Sequence, residues 1–219
     1  MQNSEAFWDN AAEKYAKSPI KDVAAYQDTL ERTRSYLTPT DRVLELGCGT
    51  GSTALLLAPS VAHIVASDIS GKMVAIGEQK ARESAVPNAE FVAADLFEAK
   101  LDREPYDAVL AFNLLHLVED RAGALRRISD LLKPNGFFIS KTVCTPGKGS
   151  PLWLRLIPYA VPFLQMIGKA PYVKFMGVEA WEALLTSHGF EIVEARDRPP
   201  PSRYIVARKR GAQVGASPR

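Results

Sequence analysis

The chain has 219 residues, 47% of them hydrophobic, and its 27 basic and 25 acidic residues leave a formal charge of +2. That much apolar content at so little net charge excludes a wholly disordered chain, and the length suits one domain with a sizeable core. A near-neutral total also removes the electrostatic reason to expect nucleic acid as a partner.

The opening MQNSEAFWDNAAEKY is polar and acidic where a secretory leader is basic and then apolar, which reads as a cytoplasmic protein. Residues 20–37 place Val23, Tyr26, Leu30 and Leu37 near one face of a predicted helix that Pro39 ends, giving a helical cap over 1–38. DRVLELGCGTG (41–51) is a short strand running into a glycine turn, followed by a helix over 50–58. HIVASD (63–68) is a second strand, and Ser70 caps a helix that runs to about 84. Further strands are expected at 89–95, 106–113 and 136–143, with a helix over 120–132 that stops before Pro134 and Gly136. Alternating strands and helices need crossover connections, hence a mostly parallel sheet covered on both faces. After a helix at 178–188, the strands 190–195 and 202–209 follow so closely that an antiparallel pair is expected.

Residues 145–177 break this rhythm with repeated Gly and Pro among aromatics, and read as a lid insertion near the carboxyl ends of the strands. Within them, LWLRLIPYAVPFLQMI (152–167) is apolar but holds Arg155, Pro158 and Pro162 and falls short of the roughly 20 residues a bilayer span needs. No transmembrane segment is predicted; a buried cap, an oligomer contact or a surface touching lipid all suit it. One domain over 1–209 with a flexible tail at 210–219 is expected, as a monomer or a homodimer. Cys48 and Cys144 have no Cys or His at ligand spacing, and His63, His116 and His188 are scattered, so no metal site is predicted.

Gly47, Gly49 and Gly51 supply the conformational freedom and close approach that a ligand-cradling loop requires, and the loop feeds directly into a helix. Asp68 ends the next strand 21 residues after Gly47, where a carboxylate can accept both hydroxyl protons of a ribose. Glu45, Asp68 and Asp95 all fall at or just past predicted strand ends, and no Lys or Arg lies between Val43 and Lys72. A pyrophosphate suits such a crevice poorly, whereas a sulfonium and an ammonium suit it well. Cys48 reads as a small packing residue of the loop rather than a nucleophile.

VLELGCGTG (43–51), Asp68, the AAD of 93–95 and NLLHLVED (113–120) together resemble the class I S-adenosylmethionine-dependent methyltransferases, especially the small-molecule enzymes of ubiquinone and menaquinone biosynthesis. The resemblance covers about residues 36–143 by motif and extends to 209 by element order. It implies an α/β, Rossmann-like, seven-stranded mostly parallel sheet of order 3-2-1-4-5-7-6 with strand 7 antiparallel and helices on both faces. It implies S-adenosyl-L-methionine as cofactor, with Gly47, Cys48 and Gly49 walling the methionine part. Glu45 orients that wall or the ammonium through water, or else merely bonds loop amides. Asp68 resembles the ribose ligand, Ile69 packs on adenine, Asp95 accepts from the adenine amine or starts an Asx turn, and Leu96 covers the other ring face. Asn113 reaches the methionine part and Leu114 shapes the passage to the acceptor.

Direct displacement from a sulfonium needs no covalent enzyme intermediate, so the catalytic candidates are His116, as base toward a phenol or enol or as a support of its turn, and Tyr15. With Phe7 and Trp8, Tyr15 belongs to an aromatic lead-in able to fold over the cofactor. Trp153, Tyr159, Phe163, Tyr172 and Phe175 are candidates for the wall of a small, apolar or aromatic acceptor. The NPPY-type loop of amino-methylating nucleic-acid enzymes is absent. A methyltransferase acting on protein or RNA, and a binding protein that no longer catalyses, are the alternatives.

Overall fold

The computed structural model describes residues 4–101, 104–147, 155, 156, 161, 163, 165, 166, 170–197 and 200–211. Trp153, Tyr159 and the tail beyond Gly211 lie outside them; Arg210, placed in that tail by sequence, still donates its amide to Gly189 O.

Five strands, β1 (Arg42–Leu46), β2 (His63–Asp68), β3 (Ala89–Ala93), β4 (Tyr106–Phe112) and β5 (Leu132–Val143), run parallel. β6 (Phe190–Asp197) and β7 (Ser202–Lys209) complete the order β3-β2-β1-β4-β5-β7-β6, with β7 antiparallel to both neighbours. The central strands are buried on both faces, which is why AVLA reads as an unbroken apolar run and VLEL is broken only by Glu45. α1 (Ser4–Lys17) and α2 (Val23–Arg34) precede the sheet; α3 (Ser52–Leu57), α4 (Gly71–Glu83), α5 (Arg121–Leu131) and α6 (Val178–Ser187) connect its strands. One core cluster joins Leu125, Ile128, Trp181 and Phe190 to Phe138 on one face, and another joins Leu30, Ala54 and Leu57 to Ile139 on the other. The insertion between β5 and α6 sits where the rhythm breaks in the sequence.

Several boundaries differ from expectation, each for a local reason. α2 starts at Val23 because Asp22 caps it, Oδ1 accepting from Ala25 N at 2.9 Å. α3 gives way to a 3₁₀ turn at 58–60 carrying Pro59. β5 begins at Leu132, ahead of Pro134, through a pairing with Tyr106 and a register shift before Ala108. On the sheet, Glu194 fastens α2: it accepts from Arg32 Nε at 2.8 and 2.7 Å and from the Tyr36 hydroxyl at 2.6 Å.

α4 is held close to the glycine loop by what it lacks. A Cβ on Gly77 would stand 2.4 Å from Phe91 Cε1, and one on Gly51 2.3 Å from the same atom. Gly77→Ala is therefore expected to destabilise the fold by about 1–3 kcal/mol in urea denaturation. Phe91→Leu in the same chain should recover part of that loss, because the two sites share one clash.

Among the described residues, no helix is long and apolar enough to cross a membrane. In the segment after β5, Leu156, Phe163 and Met166 are exposed and Val161 is buried.

Candidate functional site

β1 delivers Gly47, Gly49 and Gly51 to the carboxyl edge of the sheet with φ of +65°, +55° and +74°. Residues with a Cβ adopt such angles at a cost. At Gly47 a Cβ would also meet Leu114 Cδ1 at 2.8 Å, so the ends of β1 and β4 approach this closely only because position 47 has no side chain. Cys48 N bonds Ser67 O at 2.9 Å, tying the loop to β2, and Gly51 N bonds Cys48 O at 3.0 Å within the loop.

Asp68, the last residue of β2, completes that tie. Its Oδ2 accepts from Gly49 N at 2.8 Å and its Oδ1 from Ser70 N at 2.9 Å. Burial raises its pKa against the pull of those two amides, and the charge of Asp9 adds to the rise. Asp9 is there because α1 docks on α4: its Oδ1 accepts from Ser70 Oγ at 2.6 Å and Lys72 N at 3.2 Å, while Ser70 Oγ caps Met73 N at 3.1 Å. The docking brings Tyr15 over the loop, its Cε1 3.6 Å from where a Gly49 Cβ would be. Although Tyr15 is 53% exposed as a whole, burial of its hydroxyl end, then the charges of Asp68 and Glu45, push the phenol upward.

A cavity of about 730 Å³ opens above these strand ends. Tyr15, Gly47, Gly49, Asp68, Ile69, Asp95, Leu96, Asn113, Leu114 and His116 all line it. Asp95 makes the Asx turn, Oδ1 accepting from Phe97 N at 2.9 Å, and no bond to its Oδ2 is found among the described residues. Asn113 has φ +56° and donates its amide to Lys141 O at 2.7 Å, which ties the end of β4 to β5. His116 sits in the 3₁₀ turn Leu115–Leu117, half-buried, with Nδ1 enclosed and unpartnered among the described residues. Burial, and after it the charge of Arg121, pull its pKa down to about 4.

Two sequence candidates stand behind the loop and do not reach the cavity wall. Cys48 is packed into the core on the α3 side, where burial first, then Glu45 and Asp68, hold its thiol far above the reactive range. Glu45 is 2% exposed; its carboxylate accepts from the Ala54 amide, while Oε2 has no partner among the described residues. Burial, then the charge of Asp68, push Glu45 up to about 8.

Among the described residues, the aromatics that line the cavity are largely others than those expected. Tyr172 lines the cavity, but Phe163 is exposed and Phe175 is not in the lining; Trp8, Phe97 and Phe112 are. Phe97 and Phe112 adjoin Leu96 and Asn113, so their proximity was available from the motifs, whereas which way they point was not. A second concavity of about 660 Å³, bounded by Glu78, Arg82 and Glu90 outside α4 and β3, shares no residue with the loop.

Residues 14–195 match a family described as a methyltransferase domain. The chain is similar to a demethylmenaquinone methyltransferase of Clavibacter sepedonicus, 31% identical over 186 residues, covering 79% of this chain and 74% of that protein. It is also similar to an uncharacterized methyltransferase of Mycobacterium tuberculosis, 31% identical over 114 residues, covering 52% of this chain and 56% of the relative. In fold it resembles magnesium protoporphyrin IX methyltransferase from Synechocystis, a structure with bound S-adenosylhomocysteine, at a TM-score of 0.70 and 20% identity over 94% of this chain and 97% of that one.

Proposed function

The chain belongs to the methyltransferase-domain family and is an S-adenosylmethionine-dependent enzyme, and from that premise we propose that it methylates a small, apolar or aromatic acceptor by direct displacement. The observation that carries this reading is the wall of one cavity. It passes from Asp68 and Asp95 at the ends of β2 and β3 to Leu117, Val118, Pro171 and Tyr172 around a single imidazole, His116.

The residues present suit the donor. Its sulfonium and ammonium carry positive charge, and among the described residues the lining has carboxylates and no Lys or Arg. When bound, the donor supplies a methyl group on a positively charged sulfur that leaves as a neutral thioether. Asp68 spends one lone pair of each oxygen on Gly49 N and Ser70 N, and the others remain to accept from the ribose hydroxyls. Asp95 Oδ2 accepts from the adenine amine, Ile69 and Leu96 cover the ring faces, and Gly47 and Gly49 leave room for the methionine part. Glu45 acts on that part from behind the loop. Asn113 holds its main chain, Leu114 narrows the passage to the acceptor, and Tyr15 and Trp8 on α1 close the outer side and exclude water.

In this reading His116 takes a proton from an acidic acceptor hydroxyl or enol. Lowered to about 4, the imidazole is neutral throughout the physiological range but is a weaker base than an ordinary histidine, so this role requires an acceptor that is itself acidic. Its loss of function on protonation therefore belongs near pH 4, not near the usual histidine value of about 6.5. His116→Asn is expected to keep donor affinity while slowing single-turnover methyl transfer by roughly 10²-fold. An unchanged rate and pH profile would remove His116 from the chemistry.

The function is tested by incubating the purified protein with methyl-labelled donor and a metabolite extract. Time-dependent S-adenosylhomocysteine with label in a small molecule is expected. Label only in added protein or RNA would overturn the small-molecule reading.

A further inference from the structure

Three segments meet behind His116. The strap 170–177, which returns from the insertion to α6 without regular structure, places Pro171, Tyr172 and Val173 in the cavity wall. α5 opens with Arg121, only 6% exposed. Its Nε donates to Leu115 O at 2.9 Å and its Nη2 donates to Lys174 O. Lys174 N in turn donates to His116 O at 2.9 Å. Helix, turn and strap thus close a ring of hydrogen bonds, and Thr145 N to Met176 O at 2.9 Å is a second tie.

By elementary electrostatics Arg121 is badly placed. The first turn of a helix is the positive end of its dipole, and a buried cation is costly without an anion. Among the described residues its hydrogen bonds go to carbonyl oxygens and none to a carboxylate. What the site gains is a rigid fork that reaches two carbonyls on different segments, which a lysine ammonium on a flexible stem does not reproduce.

We propose that Arg121 is the positioning residue of the acceptor side, clamping the 170–177 strap onto the His116 turn and so holding the imidazole in place to take the acceptor's proton. The second half rests on the reading of His116 as base; the clamp does not. The proton passes from the acceptor hydroxyl to the imidazole, the oxygen's electron pair forms the new bond to carbon, and the former carbon–sulfur pair stays on the donor's sulfur. Among the described residues, the charged and titratable groups around His116 include Arg121 from α5, Glu119 and Asp120 on the wall leading into it, and Tyr172 and Lys174 from the strap. Of these, Asp120 is engaged as the α5 cap, accepting from Gly123 N at 2.7 Å.

The test needs neither donor turnover nor a known acceptor. In the full chain, amide exchange at Lys174 and the NMR titration of the His116 ring are followed in the parent, Arg121→Met and Arg121→Lys. Arg121→Met should speed Lys174 exchange by about tenfold or more and move the His116 titration upward, while donor affinity by calorimetry changes less than about threefold. Arg121→Lys should hold the titration low, since the charge remains, yet still free the Lys174 amide, since the fork is gone. Unchanged exchange and titration in Arg121→Met would overturn the proposal. If that variant does not fold, an unprotected Lys174 amide in the parent, or unaltered protection in Arg121→Lys, overturns it equally. A chain that passes both readouts and still methylates no small molecule speaks against the functional reading and leaves the clamp standing.

Discussion

Replacing Asp68 by alanine is expected to raise the dissociation constant for S-adenosylmethionine by at least about 100-fold, because hydrogen bonds to a charged acceptor are each worth about 1.5–3 kcal/mol and the proposed ribose contact makes two. The same carboxylate holds Gly49 N at 2.8 Å and Ser70 N at 2.9 Å, so its removal also loosens the glycine loop and the start of α4. Asp68→Asn should recover little, since its amide nitrogen would bring a donor to a main-chain donor. Calorimetric titration of variants whose circular dichroism matches the parent checks this. Parent-like affinity in folded Asp68→Ala would show that the ribose lies elsewhere.

The second large effect concerns Glu45 and pH. With its carboxyl raised to about 8 in the fold against 4.5 as its ordinary value, the folded chain keeps a proton that the unfolded chain loses. Stability contributed by that proton is complete below about pH 4.5 and falls as pH rises toward 8, by a few kcal/mol in all. Glu45→Gln cannot ionise, so parent and variant should converge in stability near pH 5. By pH 8 to 9 the variant should be the more stable by about 2 kcal/mol or more, as read by urea denaturation across that range. A parent whose stability does not decline relative to the variant would mean that Glu45 is ionised in the fold. If the donor's ammonium acts on Glu45, binding near pH 7 should release a proton from the parent and none from Glu45→Gln. Binding enthalpies in two buffers of different ionisation heat measure that release.

These expectations draw unequally on sequence. The glycine loop and Asp68 were legible because each follows a strand buried on both faces and rich in apolar residues, and Asp95 because it ends the apolar stretch that begins in the half-buried β3, so counting along the chain places them at one edge. The start of β5 was not legible: Pro134 and Gly136 look like a connection until Tyr106 supplies a partner for Leu132. Asp9 looks like any acid on a polar helix, and its role at the start of α4 depends on contacts to Ser70 and Lys72 more than 60 positions away. Among the aromatics, composition indicated a wall without saying which rings form it; Phe163 is exposed, whereas Phe97, itself half-exposed, and Phe112 line the cavity.

Arg121 and Glu45 mark the division most sharply. Propensity, glycine placement and hydrophobic period act over a few residues, and these local preferences suffice for the order of strands and helices and for the carboxylates at their ends. Whether an ionisable side chain is buried, and beside what, depends on which distant segments cross it. Arg121 in a first helical turn has the signature of a solvated residue until Leu115 and Lys174 close over it. Glu45 reads as one more acid in the crevice until α3 and Asp68 enclose it and raise its pKa. Desolvation and charge proximity are sums over three-dimensional neighbours, so the protonation states on which this site's chemistry turns arise only when the sheet, the strap and α1 have assembled around them.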